Sequence, residues 1–238
     1  MRTRSDLSNG TIEASHRPAV GLALLSFAAG SMDAIAFLVL GGVFTSAMSG
    51  NTIVLGLAIG QGHFTAALHA ITALFGYLAG VAVAALSLAR LGRGSGWTLG
   101  LEGFVLAAFA GLWLYVGEPA GSIAYALIVL SAVAMGLQGG IGRAIGAPGI
   151  MTVIFTSTYT SIVSNLVERA LAREHPLITA LAARQLAALA SYLGGAVVIA
   201  IVATHWRSLA PFIPLAVILI VLAGLKLRLI NFGPNATR

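Results

Sequence analysis

Eight long apolar stretches constrain the fold of this 238-residue chain more than any other feature. The hydrocarbon core of a bilayer is about 30 Å thick and needs roughly 20 apolar residues per helix. Only 8% of the residues are charged, against about 25% in soluble domains. The sequence therefore predicts an all-α integral membrane protein, a polytopic helical bundle. The stretches are 19–40, 44–60, 65–89 and 98–116, then 122–141, 150–168, 177–203 and 210–226.

The first four stretches resemble the last four, which predicts two related halves. Residues 76–85 match residues 191–200, with Tyr, Leu, Gly, Val and Ala recurring at the same places. We therefore divide the chain into four parts. They are a polar cytoplasmic tail (1–18), a first membrane repeat (19–117), a second membrane repeat (118–230) and a C-terminal tail (231–238).

The number of crossings decides how the two halves are related. If 44–60 and 150–168 enter the membrane and return, six crossings remain and the repeat is inverted. If all eight stretches cross, matching spans run in the same direction. With six crossings and a cytoplasmic N-terminus, Arg90, Arg93 and Arg143 lie inside; with eight, they lie outside. The positive-inside rule thus favours six crossings plus two re-entrant or short helices, with eight crossings as the alternative. Both termini are then cytoplasmic.

Asp33 lies in the middle of the first stretch, where an ionisable group costs about 2.5–3.5 kcal/mol on insertion scales. We interpret it as the only mid-span acid, because Glu102 lies near the start of the fourth stretch and is expected to favour the helix N-terminus. Asp33 is predicted to bind a coupling proton, a cation or the solute. The alternative is a structural acid that pairs with Arg184 or is capped by hydroxyl groups.

Small and polar residues predict a central polar zone in each half. A helix start presents N–H donors to a ligand, and small residues allow close approach of the backbone. In the first half, the residues that join Asp33 are Ser49, Gly50 and Asn51. In the second half they are Gln138, Arg143, Thr156 and Thr158. The alternatives are purely structural roles, namely helix packing for the small residues and membrane orientation for Arg143.

Several functional classes are disfavoured by the sequence. There is no cysteine, which excludes disulfides and thiolate chemistry. No nucleotide-binding loop or His-Glu-x-x-His motif is present, and no basic run is interleaved with stacking aromatics. His63 and His69 have no further potential metal ligands near them in the sequence. We therefore expect no cofactor, no metal, no nucleic-acid partner and no enzymatic activity.

Each half carries an ordered motif around its glycine-rich break. The first-half motif is Gly30, Asp33, Phe37-Leu38, Leu40-Gly41, Phe44, Met48-Ser49-Gly50-Asn51 and Leu55-Gly56. The second-half motif is Gly136-Leu137-Gln138, Arg143, Thr152 and Thr156 to Thr160. These ordered motifs resemble the YoaK family of bacterial inner-membrane proteins. The resemblance spans about 20–230 and implies a six-span membrane protein, without implying an activity. Two departures are Ser49-Gly50 and Thr156-Ser157, where the family has Thr-Gly.

These patterns favour a secondary transporter or permease in the bacterial plasma membrane, with a polar solute site between its halves. The expected partners are the lipid bilayer and a small solute whose transport is coupled to protons; homo-oligomer formation stays open. The alternative is a non-transporting membrane scaffold or assembly partner. A transporter should have a polar path between the halves, whereas a scaffold should have its polar groups mutually satisfied.

Overall fold

The computed structural model describes residues 4–89, 94–117, 119, 121–145, 155–230 and 232. Helices are the only regular secondary structure in this part of the chain, which contains no strand; this confirms the all-α prediction. Its helices are α1 (Arg4–Val39), α2 (Met48–Gly60), α3 (Phe64–Ala89), α4 (Ser95–Val116), α5 (Ser122–Ile145), α6 (Phe155–Leu171), α7 (Ala180–His205) and α8 (Phe212–Lys226). A short 3₁₀ turn, Arg207–Leu209, precedes α8.

Six segments within the described residues are long and apolar enough to cross a membrane. They are Ala19–Val39, Phe64–Ala89, Ser95–Val116, Ser122–Ala144, Ala180–His205 and Arg207–Lys226. Helix α2 has only 13 residues, or roughly 20 Å at 1.5 Å per residue, which is shorter than the hydrocarbon core. These findings confirm a polytopic helical membrane protein in which α2 is a shorter apolar helix.

Two helix boundaries differ from the sequence-based expectation in ways that matter for the site. Helix α2 begins at Met48, four residues later than 44, because the preceding residues fold back onto α1. Helix α4 begins at Ser95, three residues before 98, which moves its acidic residue deeper into the span. Helix α1 begins at Arg4, inside the segment 1–18 that was predicted as a tail.

The bundle is organised around two major helix pairs. Helix α1 packs mainly against α7, and α3 packs mainly against α5. Helix α4 packs against α5 and α8, and α8 also covers α1. Helix α2 lies on α3, whereas α6 packs only sparsely against α7. The α1 side chains Leu25, Met32 and Ile35 are fully buried, so α1 lies at the centre of the core.

Both major pairs meet at glycines that allow backbone-to-backbone approach. A Cβ at Gly30 would clash with the Tyr192 carbonyl, and one at Gly195 with the Phe27 carbonyl. Such small-residue faces are how membrane helices gain van der Waals contact in the absence of a hydrophobic driving force. Between α3 and α5, Gly80 and Gly136 form the equivalent contact: their Cβ atoms would clash with the carbonyls of Val133 and Tyr77, respectively.

Candidate functional site

A sharp break separates α1 from α2 and creates the polar site. Gly41 and Gly42 have φ angles of +88° and +76°, a left-handed conformation that residues with a Cβ rarely adopt. The imidazole of His69 packs so closely on Gly41 that a Cβ there would clash with it. The two glycines therefore end α1 and turn the chain back toward Asp33.

Asp33 is the centre of this turn, and its carboxylate accepts five hydrogen bonds. Oδ1 accepts the backbone N–H of Thr45 at 2.6 Å, the Thr45 hydroxyl at 2.9 Å and the backbone N–H of Ser46 at 2.7 Å. Oδ2 accepts the Ser46 hydroxyl at 2.6 Å and the Tyr192 hydroxyl at 2.5 Å. Because every partner is a donor, this arrangement fits the ionised carboxylate.

This hydrogen bonding explains how an acid is accommodated inside a membrane helix. Asp33 is only 3% exposed, and a buried charge is tolerated where it is paired or fully hydrogen-bonded. The turn between α1 and α2 also has backbone N–H groups without helical partners, and these must be satisfied at membrane depth. The carboxylate and the N–H groups of Thr45 and Ser46 thus satisfy one another. Of the two structural alternatives for Asp33, capping by hydroxyls is the one observed.

Asn51 closes the same turn from the first turns of α2. Its Oδ1 accepts the backbone N–H of Phe44 at 2.8 Å, and its Nδ2 donates to the Phe44 carbonyl at 2.6 Å. The side chain is fully buried. A Cβ at Gly50 would lie 2.8 Å from the Phe44 ring, which in turn stacks on Phe37 with centroids 5.3 Å apart. Asn51 and Gly50 therefore hold Phe44 and the turn in place.

Tyr192 brings the second half of the chain to this site. Its hydroxyl reaches Asp33 from α7, 159 residues away in sequence. Its ring contacts Phe155, the first residue of α6, edge-on at 4.8 Å. The end of α1, the turn before α2 and the middle of α7 therefore meet at a single buried carboxylate, and the start of α6 packs on the Tyr192 ring.

The other predicted site residues are not gathered around Asp33. Gln138 lies on α5, where its Nε2 donates to the Leu25 carbonyl of α1 at 2.9 Å. Thr158 is buried, and its hydroxyl has no hydrogen-bond partner within the described ranges. Ser49, Arg143 and Thr156 are exposed. The predicted residues thus divide into the Asp33–Asn51 turn, two separate buried positions at Gln138 and Thr158, and an exposed set.

Arg184 does not pair with Asp33. It lies on an exposed position of α7, eight residues before Tyr192, which is a rise of about 12 Å along the helix. The only ion pair found between described residues is Arg169 with Glu174, at 2.9 Å. The hypothesis of an Asp33–Arg184 pair is therefore wrong, because hydroxyl and backbone donors already occupy the carboxylate.

Two open pockets lie where the turn meets α3. The larger, of about 600 Å³, is lined by Gly41, Gly62, His63, Phe64, Thr65, Ala66 and His69. The smaller, of about 360 Å³, is lined by Val39, Leu40, Gly41, Thr65, His69, Pro119, Gly121, Ala124 and Tyr125. Gly41 and His69 border both, and Tyr125 contacts the His69 ring edge-on at 4.8 Å.

The described residues contain no group of three His, Asp or Glu side chains that could hold a metal.

Two features of the polar interior were missed in the sequence. The internal match gives Tyr192 only a packing role, although a tyrosine on a packing face next to an intramembrane acid is itself a sign of a hydrogen bond. The sequence-based expectation puts Glu102 at a helix start. It instead lies two turns into α4 and is fully buried, so Asp33 is not the only acid inside a span.

Comparison with known proteins identifies the family of the chain. The family described as a protein of unknown function (DUF1275) matches residues 21–225. The chain is also 32% identical over 216 residues to UPF0700 transmembrane protein YoaK of Bacillus subtilis (strain 168), covering 87% of this chain and 94% of that protein. No solved structure matches the chain at a significant level. The YoaK resemblance is thereby confirmed: the chain is a transmembrane member of the DUF1275 family.

Proposed function

We propose that this protein is a secondary transporter for a small solute, not an enzyme, and that it works by relative movement of two related halves. The observation that carries the proposal is the hydrogen bond from Tyr192 to Asp33. It joins a broken helix of the first half to a span of the second half, and Gly41 of the same break borders two open pockets. Broken helices at the interface of two repeats are a recurring transporter plan.

The helix contacts support the proposed internal repeat. In the matched halves, α1 corresponds to α5 and α3 to α7, so the α1–α7 and α5–α3 pairs are equivalent. Gly30 lies against the Tyr192 carbonyl, just as Gly136 lies against the Tyr77 carbonyl. Gly195 lies against Phe27 and Gly80 against Val133, with the same spacing in both pairs. The two halves therefore use the same four positions for the same contact.

The pockets beside Gly41 are the proposed entrance for the solute. Ligand pockets are commonly about 300–1,000 Å³ and combine apolar walls with a few polar groups. His69 and Thr65 come from α3 in the first half, and Tyr125 comes from α5 in the second half. A solute there would contact both halves and lie next to the turn that Asp33 holds.

In this proposal the hydrogen bonds of Asp33 and Asn51 act as a latch, which means that they hold the turn between α1 and α2 closed. Asp33 and Asn51 are committed to the turn in the described state, so they reach solute only when the turn opens. Of the remaining predicted solute ligands, Ser49 and Thr156 are exposed and Gly50 packs on Phe44. Gln138, Arg143 and Thr158 do not line the pockets, so in this proposal they would contact the solute further along its path through the second half.

A non-transporting membrane scaffold is the second candidate function, and the hydrogen bonding of Asp33 favours it. A carboxylate with five donors is fully satisfied, as a purely structural acid would be. The smaller pocket at Gly41 favours the transporter, since a scaffold does not need a cavity that both halves line.

We further propose a bacterial inner-membrane location with both termini in the cytoplasm. The support is the distribution of basic residues: Arg90, Arg93 and Arg143 are cytoplasmic in this orientation, as the positive-inside rule prefers.

A thermal-shift screen of the purified full-length protein tests the transporter proposal. A broad set of amino acids, sugars, nucleosides and organic acids would be added singly, and binding raises the melting temperature by mass action. A true ligand should stabilise wild type and His205→Gln, whose histidine lies on an exposed part of α7. It should fail with His69→Gln, and uptake into proteoliposomes should follow the same pattern. No stabilising compound in the whole set would favour the scaffold.

A further inference from the structure

We propose that Glu102 is a proton-binding site and is held as the neutral carboxylic acid inside the bundle. Glu102 is 0% exposed. Neither of its carboxyl oxygens has a hydrogen-bond partner in the part of the chain that the structure describes. An ionised carboxylate without partners is one of the most costly groups to bury, and such a group takes up a proton instead.

The contrast with Asp33 supports this assignment. Asp33 and Glu102 are the acidic residues inside the six candidate spans. Asp33 accepts five hydrogen bonds, an environment built for a charge. Glu102 has the opposite environment, because no donor reaches it from the described residues. One chain therefore holds one acid that is built to stay charged and one that is not.

Other unpartnered polar atoms lie at the depth of Glu102. Thr98, one turn earlier on α4, is fully buried and its hydroxyl has no partner in the described ranges. Helices α4 and α5 are antiparallel neighbours joined by a short connection. Glu102 lies about 10 Å from the start of α4, and Gln138 lies about 10 Å from the end of α5. Gln138 Oε1 and the hydroxyl of Ser26, next to Leu25, are likewise unpartnered there.

Titratable groups on the helices packed against α4 are engaged or directed elsewhere. Arg143 and Lys226 are exposed, and Tyr77 lies against Gly139. His69 and Tyr125 contact each other near the first turns of α3 and α5, far from the Glu102 level. No cation on these helices is therefore hydrogen-bonded or ion-paired to Glu102. The groups concerned are His69 and Tyr77 on α3, Tyr125 and Arg143 on α5, and Lys226 on α8.

Reversible protonation at Glu102 would supply the coupling step of the proposed transporter. The carboxylate takes up one proton to become the acid and releases it when the site opens to water. This coupling role rests on the proposed transport function, whereas protonation of Glu102 does not. The test below uses no solute, so failure of the transporter proposal would leave its result readable.

Infrared spectroscopy of the purified full-length protein at neutral pH provides the test. The chain has only seven Asp and Glu residues, so the carbonyl stretch of a protonated carboxylic acid can be assigned. We expect this band in wild type, in Asp33→Asn and in Glu168→Gln, whose glutamate is exposed. We expect its complete loss in Glu102→Gln. A band of unchanged intensity in Glu102→Gln, or no band in wild type, would overturn the proposal.

Isotope labelling keeps the test valid if Glu102→Gln does not fold. Glu102 is the only glutamate in the candidate spans, so in wild type the band should shift on ¹³C-labelling of glutamate side chains and not of aspartate side chains. A shift with labelled aspartate alone would overturn the assignment.

Discussion

Tyr192 donates a hydrogen bond to Asp33 across 159 residues of sequence, and the matching tyrosine of the first half has no such partner. The hydroxyl of Tyr77 lies against Gly139, which is the counterpart of Asp33 in the proposed internal repeat. Within that proposal the two matching helix contacts differ, because one contains a buried acid and the other a glycine.

Removing the Tyr192 hydroxyl should be costly, and removing that of Tyr77 should not. A hydrogen bond to a charged group contributes about 1.5–3 kcal/mol, so Tyr192→Phe should lower the apparent melting temperature in detergent. Tyr77→Phe is the matched control on the equivalent helix face and should melt close to wild type. Equal melting temperatures for the two variants would contradict the assigned role of Tyr192.

Asp33→Asn should destabilise the protein by about 3 kcal/mol or more, since an amide cannot accept from five donors and carries no charge. Arg184→Gln should have a small effect and should add to Asp33→Asn without interaction, because the residues are not in contact and independent sites add. A double-mutant cycle from detergent melting measures this. A coupling energy above about 1 kcal/mol would restore the Asp33–Arg184 pair.

Asn51→Ala should weaken the turn between α1 and α2. The substitution leaves the backbone N–H and C=O of Phe44 without the partners observed here, and each unsatisfied buried group costs about 1–3 kcal/mol. The control is Ser49→Ala at an exposed position two residues earlier. Melting in detergent and protease resistance of the turn should fall for Asn51→Ala alone. Similar losses in both variants would mean that the amide is not the anchor.

A methyl group at Gly30 should push α1 away from α7. Its Cβ would meet the backbone carbonyl of Tyr192, which no rotamer change can move, and overpacking typically costs 1–3 kcal/mol, to a rough approximation. Gly111→Ala on α4 is the control, because its Cβ would have open space. Thermal melting should separate the two variants clearly. A stable Gly30→Ala would show that the helices can separate without loss.

Single cysteines can decide the topology, because the chain has none of its own. Gln61, between α2 and α3, and Gly96, at the start of α4, are both exposed. With six crossings and a cytoplasmic N-terminus, an impermeant thiol reagent should label Gln61→Cys in intact cells and leave Gly96→Cys unlabelled. With eight crossings the two variants should exchange behaviour, which would remove the inverted repeat.

The helices themselves were predictable, because apolar length is a property of the sequence alone. The stretch 65–89, for example, is found as Phe64–Ala89, and 122–141 as the longer Ser122–Ile145. The convergence of Asp33 and Asn51 was also accessible, since both flank the same glycine-rich break. Local patterns carry this information because the residues concerned are close in sequence.

The contacts between the halves could not be obtained in the same way. Tyr192 meets Asp33 only because α1 and α7 approach at Gly30 and Gly195, and no local pattern names that pair. Glu102 differs from the sequence-based expectation for a smaller reason. Helix α4 begins three residues earlier than the apolar stretch predicts, so Glu102 is a buried span residue and not a helix-terminal one.

The exchange of helix partners between the halves has a consequence for biosynthesis. Because α1 packs on α7 and not on a helix of its own half, the ribosome must synthesise most of the chain before α1 can make its main helix contact. During that interval the nascent carboxylate of Asp33 can rely only on Thr45 and Ser46, which leave the exit tunnel soon after it. The short-range turn would thus satisfy the Asp33 carboxylate by hydrogen bonds within the membrane until α7 has been synthesised and Tyr192 can donate to it.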